Sequence, residues 1–286
     1  MNITAFHVNC TAPYLLSNRG EVYSIEYFDL LSTILSALQW KRLGGEIAMI
    51  TDPVGAEYYR KIGLESLWNG GIDDSLHLDI KGIDATSLWA AGKVFALGKM
   101  KAPCVMLDTD FIVWEDISSK LLDKPLVVAH REELYSDVYP PKEHFHMIEG
   151  YNFPEKWDWS TLPCNTAFAY FGDEELRSYY VKRSVEFMHS IDYCTDNLTN
   201  MVFAEQRLLA MCAVEKDKHI SALLDKDEIF TPQKAFTHIW GFKQYMREND
   251  NARSDFCTRC EKRILKDFPS VAYLLDTIKA SSLVNT

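Results

Sequence analysis

Apolar positions change their spacing several times along the chain, and each change marks a boundary. Over "VYSIEYFDLLSTILSALQW" (22–40), Ile25, Phe28, Leu31, Leu35 and Leu38 recur at helical spacing, which predicts a helix ended by Gly44 and Gly45. "NITAFHV" (2–8) before it and "EIAMIT" (46–51) after it are short apolar runs that predict strands. Asp52 then stands where a helix cap belongs, with Pro53 at the first helical position. A strand is expected near "SLHLDI" (75–80), and a helix over "TSLWAAGKVFALGKM" (86–100) with Leu88, Ala91, Phe95 and Gly98 on one face. "PCVML" (103–107) is apolar on both faces, as strands inside parallel sheets are. "KPLVVAH" (124–130), "NTAFAYFG" (165–172) and "HISALLD" (219–225) predict further strands, with helices near 173–190 and 200–214. Strand and helix alternate at the spacing of βαβ units, which predicts a layered α/β domain over 1–248, with a mainly helical extension over 249–286.

The composition adds exclusions. At 286 residues, 47% hydrophobic and 25% charged, the chain is of ordinary soluble globular type and long enough for a sizeable core. A formal charge of −11 argues against nucleic acid, whose phosphates are held by Lys and Arg. It leaves room for a small phosphorylated ligand held by one cation or a metal. No stretch approaches the roughly 18 apolar residues of a membrane span, and no signal-peptide pattern opens the sequence. Seven scattered cysteines suit a reducing compartment, so a cytoplasmic location is expected. Cys104 and Cys212 read as core residues, and the C-x-x-C of Cys257 and Cys260 lacks the second pair that zinc would need.

"VMLDTDFIVW" (105–114) breaks an apolar run with two acids. They follow a buried strand, where the sites of open α/β sheets lie, and residues i and i+2 of an extended segment point the same way. Asp108 and Asp110 therefore either cap turns and pair with surface lysines, or share a cation that relieves their repulsion. Oxygen ligands favour Mg²⁺ or Mn²⁺ over Zn²⁺. Glu205 lies on the apolar helical face of Val202, Leu209 and Cys212, so it must be paired, protonated or facing a polar cavity. Arg207 and Lys101 are its expected structural partners. The long segment 131–163 is of the kind that is functional or mobile. Its Tyr151, Phe153, Trp157 and Trp159 either stack on an acceptor sugar or cover the core. His144 and His146, in "HFH", have no third ligand nearby in sequence.

Four segments, "LWAAGKVFALGKMKAPCVMLDTDFIVWEDI" (88–117), "LPCNTAFAYFG" (162–172), "MVFAEQRLLA" (201–210) and "FTHIWGFKQY" (236–245), stand in an order and spacing that resemble the GT-A fold glycosyltransferases. The likeness is to glycogenin-like and galactosyltransferase-type enzymes and their bacterial relatives. It implies a Rossmann-like, mixed but mainly parallel sheet flanked by helices. It also implies a metal on Asp108, Asp110 and His238 that grips the diphosphate of a nucleotide sugar. An imidazole beside two carboxylates suits Mn²⁺ rather better than Mg²⁺. By the same resemblance Lys93 and Lys243 reach phosphate, Gly241 lets backbone approach it, and Asp52 lies near the nucleoside. Asn165 and Thr166 would contact donor and transferred sugar, and Glu205 with Gln206 would sit at the transfer site. Plainer roles are open for several: a helix lysine at 93, a packed histidine at 238, a turn asparagine at 165, a helix cap at 52. Two departures are Glu at 205 where Asp is commoner, and the absence of the Pro and Trp that often follow the lysine at 243. The implied activity is transfer, with retention, from a UDP-sugar to a glycan or other hydroxyl acceptor. Two competitors share the fold: a sugar-nucleotidyltransferase, which needs a Gly-rich loop that is not found after "FHVNC", and a non-catalytic nucleotide- or glycan-binding protein.

Overall fold

The strands that position the site are β1 (Thr4–Asn9), β2 (Glu46–Thr51), β3 (Ile72–Asp73), β4 (Cys104–Leu107), β5 (Phe111–Val113), β6 (Leu126–Arg131), β7 (Cys164–Phe171), β8 (Ile220–Ala222) and β9 (Phe236–His238) in a computed structural model that describes residues 3–76, 82–281 and 283–285. Seven of them form one sheet in the order β8-β6-β7-β4-β1-β2-β3. Strand β7 runs antiparallel to β4 and β6, and the other pairings are parallel. β5 and β9 form a separate antiparallel ribbon. This is the mixed, mainly parallel sheet of the expected GT-A-like fold. Residues 77–80 of the strand expected at 75–80 lie outside the described residues, and the sheet takes Ile72–Asp73 beside β2 instead.

Helices cover both faces: α1 (Tyr27–Arg42), α2 (Pro53–Lys61), α3 (Ala91–Lys99), α4 (Glu174–His189), α5 (Leu208–Glu215), α6 (Phe242–Glu248), α7 (Asp250–Asp267) and α8 (Tyr273–Ala280). Alternation along β4 divides the core. Val105 and Leu107 face the side packed by α1, α7 and α8, while Cys104 and Met106 face α3, α4 and α5. Helix α1 is buried along almost its whole length, from Tyr27 to Trp40. Trp40 donates from Nε1 to the carbonyls of Ile3 (3.3 Å) and Glu46 (3.0 Å), and a side chain at Gly45 would collide with its indole. Helix α1 starts later than the apolar spacing suggests, because Ile25–Glu26 are extended and pair with Val284–Asn285. Helix α3 also starts late. Asp84 accepts hydrogen bonds from the Thr86 N–H and the Ser87 hydroxyl, which holds the preceding residues in turns.

The segment 131–163 closes over the second core. Phe153, Trp157 and Trp159 pack with Phe145, Phe187 and Phe203, and Trp159 stacks on Phe203 with ring centres 5.4 Å apart. These rings, with Tyr151 against Phe153, pack on the core, Trp157 buried and the others partly so. Arg207 clamps the segment by donating to the carbonyls of Tyr139 (3.1 Å), Pro140 (2.7 Å) and Trp159. His144 lies against the hydroxyls of Thr195 and Thr199, and His146 stacks on Tyr193. Asp196 lies 3.5 Å from His144, but among the described residues no cluster of three metal-ligating groups includes these histidines or Cys257 and Cys260. Burial pushes those two thiols up, to about 11 and about 12. Among the described residues no helix is long and apolar enough to cross a membrane.

Buried Arg177 of α4 ties that helix to α3 by donating to the Leu97 carbonyl (2.8 Å), and it is forked by Glu174 at 2.9 and 2.5 Å. Arg177, then the Ala102 N–H, hold the Glu174 carboxyl down to about 2. A depressed carboxyl stabilises the fold above its unfolded pKa of about 4.3 and loses that contribution as pH falls toward the folded value. Glu174→Gln is expected to lower Tm by about 2 °C at pH 7, a small effect because the carboxylate is half-exposed. The gap from wild type should close between pH 4.5 and 2, read by calorimetric melts across that range.

Candidate active site

Asp108 and Asp110 converge by a turn, not by the alternation of a strand. Strand β4 ends at Leu107, and the Phe111 N–H donates to the Asp108 carbonyl (3.0 Å), folding 108–110 back on itself. Three contacts hold that turn. The Asp108 N–H donates to the Ala167 carbonyl of β7 (2.8 Å). The Ile239 N–H donates to the Asp110 carbonyl (3.2 Å), and the Ser36 hydroxyl of α1 donates to the Phe111 carbonyl (2.6 Å). Ser36 also meets Nε2 of His7 at 3.0 Å, and burial drives His7 down to about 3, so its ring is neutral. Pairing of β9 with β5 sets His238 opposite Phe111, one residue from Asp110. One ligand atom each from Asp108, Asp110 and His238 lies within 4.8 Å of the others.

Two lysines sit among the acids. Lys93 Nζ contacts Asp108 Oδ1 at 2.7 Å and Glu205 Oε1 at 2.5 Å, and its third partner is the Thr166 carbonyl at 3.4 Å. Lys243 Nζ contacts Asp29 Oδ1 at 2.9 Å and Asp110 Oδ2 at 3.0 Å. Burial alone would lower both ammoniums, but the flanking carboxylates outweigh it and raise them. Burial pushes the Asp110 carboxyl up, and Lys243 and His238 bring it below its ordinary range. Burial also lowers His238, against the pull of Asp110 and Asp108, which favours a neutral ring able to bind metal. Asp29 is raised by burial, with Lys243 opposing. Four carboxylates face two ammoniums, and the excess of two negative charges matches one divalent cation. Two carboxylate oxygens and one imidazole nitrogen suit Mn²⁺ or Mg²⁺, so these residues fit the expected metal.

Two cavities meet here. One of about 300 Å³ is lined by Lys93, Asp108, Asp110, Glu205, Gln206 and His238, among others. The other, about 540 Å³, is lined by Asn9, Tyr14, Tyr23, Asp29, Thr109 and Arg247, and Lys243 borders both. Glu205 reaches the smaller cavity from a π-turn, Phe203–Arg207, that widens the helix before α5. It pairs with Lys93 and accepts from the Thr166 hydroxyl at 2.6 Å, so neither Arg207 nor Lys101 is its partner. Gln206 accepts from the Tyr139 hydroxyl at 2.5 Å. The Asn165 amide donates to Glu132 (3.0 Å) and accepts from the Ala167 N–H (3.2 Å). Asp52 caps α2, accepting from Gly55 N–H (3.0 Å) and from the N–H and hydroxyl of Thr11 (2.6 and 2.9 Å). Gly241 has open space where a side chain would stand and a negative φ, so neither packing nor backbone demands glycine there.

Pattern alone missed Asp29, Glu132, Tyr139, Trp89 and Trp240. Asp29 left a trace, since it interrupts the buried run of "YFDLL". The others come into contact only through the fold.

By sequence, a family model described as "Family of unknown function (DUF6734)" matches residues 14–277. No curated protein matches the chain. Among solved structures, mouse xyloside xylosyltransferase 1 is 12% identical with a TM-score of 0.39, over 78% of this chain and 85% of that one. The glycosyltransferase GlyE of Streptococcus pneumoniae TIGR4 is 13% identical with a TM-score of 0.40, over 78% and 45%. The PaToxG glycosyltransferase is 10% identical with a TM-score of 0.41, over 96% and 87%.

Removing Lys93 would leave Glu205 buried without its cation. Lys93→Met is expected to cost about 3 kcal/mol in urea denaturation, and Lys93→Met with Glu205→Gln should recover part of that loss. A double variant no more stable than the single one would show that charge burial is not the cause.

Proposed function

The chain belongs to the family of unknown function DUF6734, and we propose that it transfers a sugar from a nucleotide-diphosphate sugar to a glycan or other hydroxyl acceptor. Uridine diphosphate is the expected carrier. The observation that supports this most is the meeting of Asp108, Asp110 and His238 where a nucleoside-sized cavity joins a sugar-sized one. Those three residues would hold Mn²⁺ or Mg²⁺. When bound, such an ion supplies Lewis-acid stabilisation of the charge left on the departing diphosphate.

The protein's own groups do the rest. Tyr14 and Tyr23 give the larger cavity flat walls for a base, and Asn9 and Ser24 give it hydroxyl partners. Lys243 is held protonated at the junction and can pass from Asp110 to a phosphate oxygen as the donor arrives. The open backbone at Gly241, on the segment joining β9 to α6, allows close approach to the same phosphates. All three Lys93 protons already have partners, so it serves phosphate indirectly, by holding Asp108 and Glu205 in place. Glu205, fixed by Lys93 and Thr166, faces the smaller cavity, where a carboxylate opposes the positive charge that develops on the anomeric carbon as its bond to diphosphate breaks. Gln206 accepts the Tyr139 hydrogen bond on its oxygen, which leaves its amino group to orient sugar hydroxyls. Asn165 sets the mouth of β7 beside it. Asp52 acts at a distance, fixing Thr11 and the start of α2 behind the larger cavity.

Purified protein with Mn²⁺ and a panel of UDP-hexoses and UDP-xylose is expected to release UDP. Chelation should abolish the release, and Asp108→Ala or Asp110→Ala should reduce it at least ~100-fold. The product is expected to keep the donor's anomeric configuration, as read by NMR. Donor binding without turnover, across a panel of acceptors, would identify a binding protein instead.

A further inference from the structure

A third cavity, of about 370 Å³, borders the smaller site cavity, and His238 and Trp240 line both. Its wall differs in kind from that of the nucleoside-sized cavity. There the lining includes Glu21, Glu26, Asp29, Lys243 and Arg247. Here, among the described residues, no Asp, Glu, Lys or Arg lines the space. Ile229 and Pro232 supply apolar surface over buried Phe111 and Phe236, Thr231 and Gln233 add neutral polar groups, and His130 and His238 add imidazoles.

Trp240 stands at the border between the two spaces. Its indole is 58% exposed, and its backbone is held at φ 33°, a conformation unusual for any residue but glycine. A large ring kept outside the core at a backbone cost is doing little for packing. It lies roughly parallel to His238, with ring centres 6.4 Å apart. The outer wall, formed by Ile229 and by Thr231 to Gln233, is braced from within. The Gln233 amide donates to the Glu228 carbonyl (3.0 Å), the Thr231 carbonyl (3.1 Å) and the Thr231 hydroxyl (2.9 Å).

We propose that this third cavity is the acceptor subsite and that it takes a neutral glycoside. The assignment rests on the transferase reading above and adds the class of acceptor. A pyranose has an apolar C–H face for the exposed indole of Trp240, and hydroxyls for Thr231 and Gln233. Seated there, it directs one hydroxyl past His238 toward Glu205 and the anomeric carbon of the donor. That hydroxyl oxygen forms the new bond to the anomeric carbon, the bond to diphosphate breaks, and the hydroxyl proton leaves with the diphosphate. An acceptor with a carboxylate at this point would bring a charge to a wall that, among the described residues, has no Lys or Arg and only the imidazoles of His130 and His238.

The test uses p-nitrophenyl glycosides of glucose, galactose and xylose, with the glucuronide and galacturonide as charged counterparts. Binding is measured by saturation-transfer NMR and calorimetry with Mn²⁺ and UDP present, and UDP binding is measured separately. At least one neutral glycoside is expected to bind, and its uronide to bind at least ~10-fold more weakly. Thr231→Glu, at an exposed wall position, should weaken the neutral glycoside at least ~10-fold, with the fold checked by circular dichroism. If UDP binds and no neutral glycoside does, or the uronide binds equally well, or folded Thr231→Glu binds like wild type, the subsite assignment falls and the transferase reading stands. If UDP itself does not bind, the transferase reading falls and takes the subsite with it.

Discussion

Two ammonium groups, each held between two carboxylates under the edge of the sheet, are the constraint on which the site depends. Burying a charge costs several kcal/mol unless a partner of good geometry meets it, and here every acid has a lysine within hydrogen-bonding distance. The pairing joins parts of the chain that lie far apart. Asp29 comes from α1, Lys93 from α3, Asp108 and Asp110 from the turn after β4, Glu205 from the π-turn, and Lys243 from α6. The charges therefore orient the functional groups and also fix how the outer helices sit on the sheet. They leave an imbalance that a doubly charged cation would satisfy.

The fold was legible wherever burial on both faces or one clear helical stripe left a period in the sequence. Strand β4 and the cap at Asp52 read directly from it. Boundaries failed where local contacts overrode the pattern, as at Asp84, whose side chain holds turns ahead of α3. The paired aspartates were legible as a pair, but for the wrong geometric reason, since a tight turn and not strand alternation brings them together. Partner choice was the least legible. Glu205 showed by its place on an apolar stripe that it needed a partner, yet the residue that answers lies more than a hundred positions earlier in the chain. A single sequence carries no trace of such a meeting.

The aromatic residues divide by the same logic. Those of 151–159 lie close to Phe203 and Phe187 and gain more from one another than from water, so they pack against the core, Trp157 fully and the others in part. Trp89 and Trp240 have no such company and stay at the rim of the smaller cavity. Local richness in aromatics marks a packing cluster here, and the isolated rings stay exposed at the cavity rim.

The widened turn at Phe203–Arg207 has a consequence for how the molecule could change over evolutionary time. A turn of this kind holds one residue more than a regular helix allows, so it sets the angular phase between Thr199–Val202 before it and α5 after it. Loss of a single residue there would straighten the backbone and relieve local crowding. It would also remove the bulge from which Glu205 projects. The carboxylate at 205 would then swing out of register with Lys93 while the hydrophobic seam of α5 stayed in place. A chain that lacked this residue would keep the packing of α5 and lose the Lys93–Glu205 pair, so the length of this helix decides whether that pair can form.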